Sequence, residues 1–184
     1  MFSIEKTKGR IAESLVQELF AVEGYEVTKF GLENLYPGFY KKIRDNKDEA
    51  SNSLRKSPDL VLLNPCNNEM HYAEVKYRTN GKFSIGKSKF KHYDESFPEC
   101  LIFLVSPTSI NCLPFSELRE RRSIDFNKTD KFLLKNNELF DLRNESIENF
   151  EKFATMFFNK EFINKYSEIR DCIKKLPIKG YFHS

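Results

Sequence analysis

No stretch of this 184-residue sequence stays apolar for long enough to cross a bilayer. Its opening residues, MFSIEKTKGR, carry neither the apolar core nor the small-residue cleavage site of a secretory signal. A cytoplasmic location without membrane contact is therefore expected. Histidine is scarce, with His71, His92 and His183 too far apart for metal-ligand spacing, and Cys66, Cys100, Cys112 and Cys172 form no CxxC pair. This argues against a zinc site; in a reducing compartment such thiols are expected to be small buried hydrophobes or inert surface groups. Neither sign of charge dominates: 30 Lys and Arg face 27 Asp and Glu, for a net +3. That balance permits a nucleic-acid partner without demanding one, because local clustering of cations steers a polyanion and the sum does not. There is no internal repeat and no low-complexity tract.

What is present fits an ordinary globular chain, 40% hydrophobic and 31% charged. The length suits a single domain over 1–184, with a core over about residues 7–106 and a C-terminal extension over 107–184. From Thr7 to about Glu23, Ile11, Ala12, Leu15, Val16, Leu19 and Phe20 recur at helical spacing, and Gly24 follows where a helix stop belongs. Tyr25 to Phe30 reads as a short strand. Residues 31–57 read as a long polar loop, either a substrate-contacting element or a surface insertion. Pro58 to Leu63 and Met70 to Arg78 are extended segments joined by the turn-rich NPCNNE, together a β-hairpin. KSKFKHYDES suggests a basic helix, and CLIFLVS a buried strand. The core is therefore mixed α/β. Beyond Pro107 the spacing predicts a short helix around Phe115 to Arg121, a small hairpin in KFLLKNNELFDL and helix from Ser146 to Leu176 with a break near Asn159. The apolar stripe of that last stretch includes Phe150, Phe153, Phe157 and Phe162, and it needs something to pack on: the sheet, a second copy or a partner.

Chemistry gathers on the hairpin. Alternation along the second strand sends Tyr72, Glu74, Lys76 and Arg78 to one face and His71, Ala73, Val75 and Tyr77 to the other. If the turn centres on Cys66 and Asn67, paired positions sum to 133, which sets Leu63 against Met70 and Asp59 against Glu74. Two carboxylates so close repel unless a cation intervenes, which calls for a hard ion such as magnesium or manganese. With Lys76 one step along the face, the set suits phosphodiester cleavage: a metal to activate water and a lysine to offset developing charge. A lone ExK would be an ordinary surface pair. Asp59 changes that balance, since a carboxylate opening an apolar strand right after Pro58 has no packing purpose.

Pro58-Asp59 followed by Glu74-Val75-Lys76, with Glu13 on the preceding helix, resembles the PD-(D/E)xK nucleases, also called restriction-endonuclease-like. The opening KGRIAESLVQELFAVEGYEV is similar to the start of archaeal Holliday-junction resolvases and related small nucleases. The resemblance covers about residues 7–106. It implies a mixed central sheet flanked by helices, here with an added, mainly helical C-terminal segment. It also implies that Asp59, Glu74 and the Val75 carbonyl bind the metal and that Glu13 supports the ion or its water. Lys82, Lys87 and Lys91 follow the catalytic strand, where such folds meet the substrate backbone; a solvated basic face is the plainer reading of them. Lys89 lies among them without a role. Tyr93 is expected in the core rather than stacked on a base.

The expectation is thus a Mg2+-dependent deoxyribonuclease, an endonuclease with Mn2+ able to substitute, acting on DNA. Its alternative is a non-catalytic nucleic-acid-binding or partner-dependent subunit of a repair, defence or transposition complex. A homodimer or protein partner would use the C-terminal helices.

Overall fold

The computed structural model describes residues 4–30, 46, 48, 50–51, 56–159, 161–162 and 164–165. Helix α1 (Ile4–Val22) buries Ala12, Leu15, Val16, Leu19 and Phe20, the stripe its spacing predicts. Gly24 stops it at φ 88°, with the Gly24 N–H donating to the Ala21 carbonyl and the Tyr25 N–H to that of Phe20. This paired closure uses the left-handed conformation that glycine adopts without penalty.

Five strands form the main sheet: β1 (Glu26–Lys29), β2 (Leu60–Leu63), β3 (Met70–Tyr77), β5 (Leu101–Val105) and β6 (Ile110–Pro114), in that spatial order. Strands β1, β2 and β3 are successively antiparallel, β5 runs parallel to β3, and β6 returns antiparallel to β5. Helix α2 (Lys87–Ser96) lies in the crossover between the parallel pair, on the bounds the sequence predicts. The expected mixed sheet flanked by helices is present. The hairpin register is also the expected one, with Leu63 against Met70 and Leu60 against Ala73. Its turn is fixed by side chains: Asn64 Oδ1 accepts the Cys66 N–H, Asn67 Oδ1 accepts the Glu69 N–H, and Asn68 takes φ 58°.

The sheet has apolar packing on both sides. One side gathers Leu60, Leu62, Ala73, Val75, Tyr77 and Phe103 under α1 and the C-terminal helix α3 (Asn144–Phe157). The other gathers Ile102, Leu104, Leu113 and Phe115 with Tyr93 of α2. Strand β5 is buried along its whole length, which is why LIFLV is continuously apolar. Cys100 and Cys112 are buried free thiols and Cys66 is exposed. A two-stranded ribbon of β4 (Lys82–Ser84) and β7 (Ser123–Asp125) stands apart from the main sheet.

Two expectations after residue 107 are corrected. Residues 131–142 form no hairpin; the Cys112 N–H of β6 donates to the Phe132 carbonyl, Leu133 bridges to Asn111, and a 3-10 turn follows at Leu134–Asn136. That segment pairs with an existing sheet edge instead of with itself. The helix expected over Phe115 to Arg121 is a 3-10 turn at Phe115–Leu118. Helix α3 ends at Phe157, beside the break expected near Asn159, and most of the stretch beyond it, like most of the long loop over 31–57, lies outside the described residues. No helix among the described residues is long and apolar enough to cross a membrane.

Candidate active site

Strands β2 and β3 part company at Asp59. Leu60 and Ala73 are the last paired residues, and the next backbone donor in line, the Val75 N–H, is taken at 2.7 Å by Oδ2 of the Asp59 side chain. Pro58 leads the chain into this point, and the Asp59 carbonyl accepts the Phe30 N–H. A carboxylate is thus held against the middle of β3 by a backbone hydrogen bond. Glu74 and Lys76 leave β3 on the face opposite Ala73, Val75 and Tyr77, as the alternation requires.

Three oxygens converge on one ammonium. Lys76 Nζ lies 3.4 Å from Asp59 Oδ2 and 3.0 Å from the Val75 carbonyl oxygen, and it forms an ion pair with Glu74 Oε1. Glu74 is 1% exposed, so its charge has almost no water to stabilise it. Protein groups do so instead: Lys89 Nζ also contacts Oε1, and the Tyr93 hydroxyl donates to Oε2 at 2.5 Å. Lys89 and Tyr93 stand four apart on α2, with the ammonium 5.1 Å from the tyrosine ring centre.

The charges follow from this packing. Burial pushes the Glu74 carboxyl up, but Lys76 and Lys89 together outweigh burial and hold it below the ordinary value. Asp59 goes the other way. Burial, and then the neighbouring Glu74 charge, push its carboxyl to about 6, with Lys76 only partly opposing. Burial would lower Lys76, but Glu74 and Asp59 raise it above its usual value. The Tyr93 hydroxyl is pushed up by burial and by Glu74, so it stays a donor.

The converging atoms suit a hard cation. All three are oxygens, two of them carboxylate, and Glu74 and Lys76 line a cavity of about 190 Å³. Among the described residues, no group of three or more acidic, histidine or cysteine side chains comes together. Magnesium is commonly held by one or two carboxylates and keeps several waters, so the set fits it and not a fully protein-ligated ion such as structural zinc.

Of the residues singled out in the sequence, Asp59, Glu74, Val75 and Lys76 are brought together. Glu13 is half-buried on α1, a helix that packs against the other face of β3. Lys82 sits at the start of β4, 3.9 Å from Asp125; Lys91 faces Glu95 at 3.7 Å; Lys87 is exposed in the first turn of α2. None of these three reaches Glu74. Lys89, given no role by sequence reasoning, does. Its signal was the i, i+4 spacing to Tyr93, which places both on the helix face turned to β3.

No family model and no curated protein matches the chain. Among solved structures it is similar to Hjc, a Holliday junction resolvase from the archaeal hyperthermophile Archaeoglobus fulgidus. The identity is 17% and the TM-score 0.41, over 64% of this chain and 86% of that one. A likeness this loose carries no argument about what this chain does. The geometry of its own residues does.

Proposed function

We propose that the chain is a magnesium-dependent deoxyribonuclease, an endonuclease that hydrolyses DNA phosphodiester bonds, with manganese able to replace magnesium. The observation that carries this reading is the convergence of Asp59 Oδ2, Glu74 Oε1 and the Val75 carbonyl on a single cation, the Lys76 ammonium. Asp59, Glu74 and the Val75 carbonyl would hold the metal. When bound, the ion would activate a water and offset charge on the phosphate oxygens.

The remaining roles belong to side chains. Lys76 and a metal ion would compete for the same oxygens, so metal binding would release the ammonium to a phosphate oxygen or to the attacking water. Tyr93 and Lys89 fix both oxygens of Glu74, which orients the carboxylate from a buried helix face. Asp59 is fixed by the Val75 N–H. Glu13 retains the supporting role that the family resemblance implies, on the ion or its water.

The test is incubation of the purified protein with labelled single-stranded, duplex and four-way-junction DNA in magnesium, manganese or EDTA. Asp59→Ala and Lys76→Ala serve as controls, and Glu13→Gln probes the supporting acid. Metal-dependent cutting that falls by about 100-fold or more in both alanine variants is the expected result, the usual scale for loss of one charge-stabilising group. Folded protein that binds DNA but cuts none of the three substrates in either metal would sink the proposal.

A second reading, a nuclease subunit that acts with a protein partner or a second copy, is favoured by α3 and the residues just after it. Phe153, Met156, Phe157 and Phe162 remain exposed among the described residues. Light scattering over a range of concentrations, alongside cutting activity, separates a self-sufficient monomer from an assembly.

A further inference from the structure

The cavity in front of Glu74 and Lys76 opens into a larger one. Arg78, Phe83 and Ser84 line both the 190 Å³ cavity and a groove of about 890 Å³ along the β4–β7 ribbon. We propose that this groove is a phosphate track that carries a DNA strand to the site and grips its backbone without reading its bases. The proposal rests on the nuclease reading above and assigns the surface that delivers its substrate.

Five cations and the carboxylates Glu117, Glu120 and Asp125 line the groove, and the ion pairs separate structural cations from available ones. Lys131 is tied to Glu117 at 2.8 Å and Lys82 lies 3.9 Å from Asp125, so those charges are largely spoken for. Arg121 and Lys128 are exposed in the same groove, and among the described residues neither has a carboxylate within ion-pair distance. Arg78 stands at the junction of the two cavities. One Nη donates to the Tyr77 carbonyl at 2.7 Å, while the guanidinium lies 5.9 Å from the centre of the Phe83 ring, which leaves further N–H groups for a phosphate. Lys76 lines the smaller cavity, Arg121 and Lys128 line the groove, and Arg78 lines both.

The groove's aromatic rings decide what is read. Phe83 and Phe132 are 5% and 6% exposed, so neither offers a face on which a base could stack. Base stacking is thus not offered there, and the exposed cations are placed for phosphates, which carry the same charge at every step of a strand.

The test is fluorescence anisotropy of labelled oligodeoxynucleotides in EDTA, across a salt series. Wild type is compared with Arg121→Ala/Lys128→Ala, with the charge reversal Arg121→Glu and with Lys152→Ala on the exposed face of α3 as a control. Loss of two phosphate contacts should reduce the slope of log K against log salt by about 1.4–1.8 in magnitude. The weakening should be the same for all base compositions and absent from the control. An unchanged slope and Kd in the double and reversal variants, with thermal melts showing all proteins folded, would overturn the track, as would weakening confined to one base composition. These outcomes are separate from the nuclease reading: a reduced slope in a protein that cuts nothing with metal supports the track and sinks the enzyme, whereas unchanged binding in an active enzyme sinks the track alone.

Discussion

Replacing Asp59 with asparagine should make the metal-free protein more stable while ending its cleavage. Burial and the adjacent Glu74 charge raise the Asp59 carboxyl from 3.8 to about 6. A tenfold change in proton affinity is worth about 1.4 kcal/mol, so the ionised side chain costs the folded state about 3 kcal/mol at neutral pH. Asparagine keeps an oxygen for the Val75 N–H and carries no charge toward Glu74. At about 2–4 °C per kcal/mol for a chain of this size, the upper limit of the gain is about 6–12 °C in Tm.

The sign with pH follows from the raised value. Below 3.8 the carboxyl is protonated in both folded and unfolded chains and the penalty is absent. It opens between 3.8 and about 6 and is complete above that. Thermal melts in EDTA at pH 4.5 and pH 8 should therefore show a gap between variant and wild type that widens at the higher pH. Magnesium should then raise the wild-type melt by mass action, about 2.7 kcal/mol at a concentration 100 times its Kd, and leave the variant nearly unmoved. A variant that melts at or below wild type at pH 8 in EDTA would refute the reasoning, because Asp59 would then be a structural anchor and not a charge held in readiness for a ligand.

Tyr93→Phe removes the hydroxyl that donates to Glu74 Oε2, which should cost about 1–3 kcal/mol by denaturant unfolding and also slow cleavage; unchanged values in both would show that Lys76 and Lys89 suffice. Phe20→Ala should cost about 3–5 kcal/mol, since the ring is fully buried and meets Tyr25, Phe103 and Phe140 edge-on. Glu23 is held at about 2 by hydrogen bonds from Arg143, against some burial, with Ser146 also donating to it. Its contribution is fully present above its ordinary 4.5 and is lost as pH falls toward 2. Because the Arg143 side chain is 71% exposed, screening limits it to about 1 kcal/mol, and Glu23→Gln should flatten that part of the acid stability profile. Gly81→Ala should loosen the β4–β7 ribbon, visible as faster amide exchange there, because Gly81 sits at φ 61° and a β-carbon would lie 2.7 Å from the Asn127 side chain.

What could be read from the sequence here was local, and what could not was set by distant partners. The hairpin register follows from one turn: once NPCNNE closes it, Leu60 pairs with Ala73, which brings the next residues along, Asp59 and Glu74, to the end of the ladder. The bounds of α2 follow from glycine and proline on either side of KSKFKHYDES. Which lysine of that helix meets Glu74 depends instead on how the crossover lays α2 across the sheet, and composition marks Lys87, Lys89 and Lys91 alike. Burial of Tyr93 breaks that equivalence. A tyrosine at 0% exposure pins one helix face to the sheet, and the residue one turn before it is Lys89. The failed hairpin over 131–142 has the same origin, since those residues found a partner in β6, a strand whose INCLP sequence declares itself only beside β5. Lys76 belongs with these non-local facts. Its spacing from Glu74 is legible, but that its ammonium lies among the oxygens proposed to hold a metal emerges only when Asp59 is folded against Val75. Lys76→Met should leave Asp59 and the Val75 carbonyl without an ammonium in the resting protein, with Lys89 alone on Glu74. Metal-free stability at pH 8 should then fall while magnesium restores more of it than in wild type, and a metal response no larger than wild type would show that lysine and ion do not share the position.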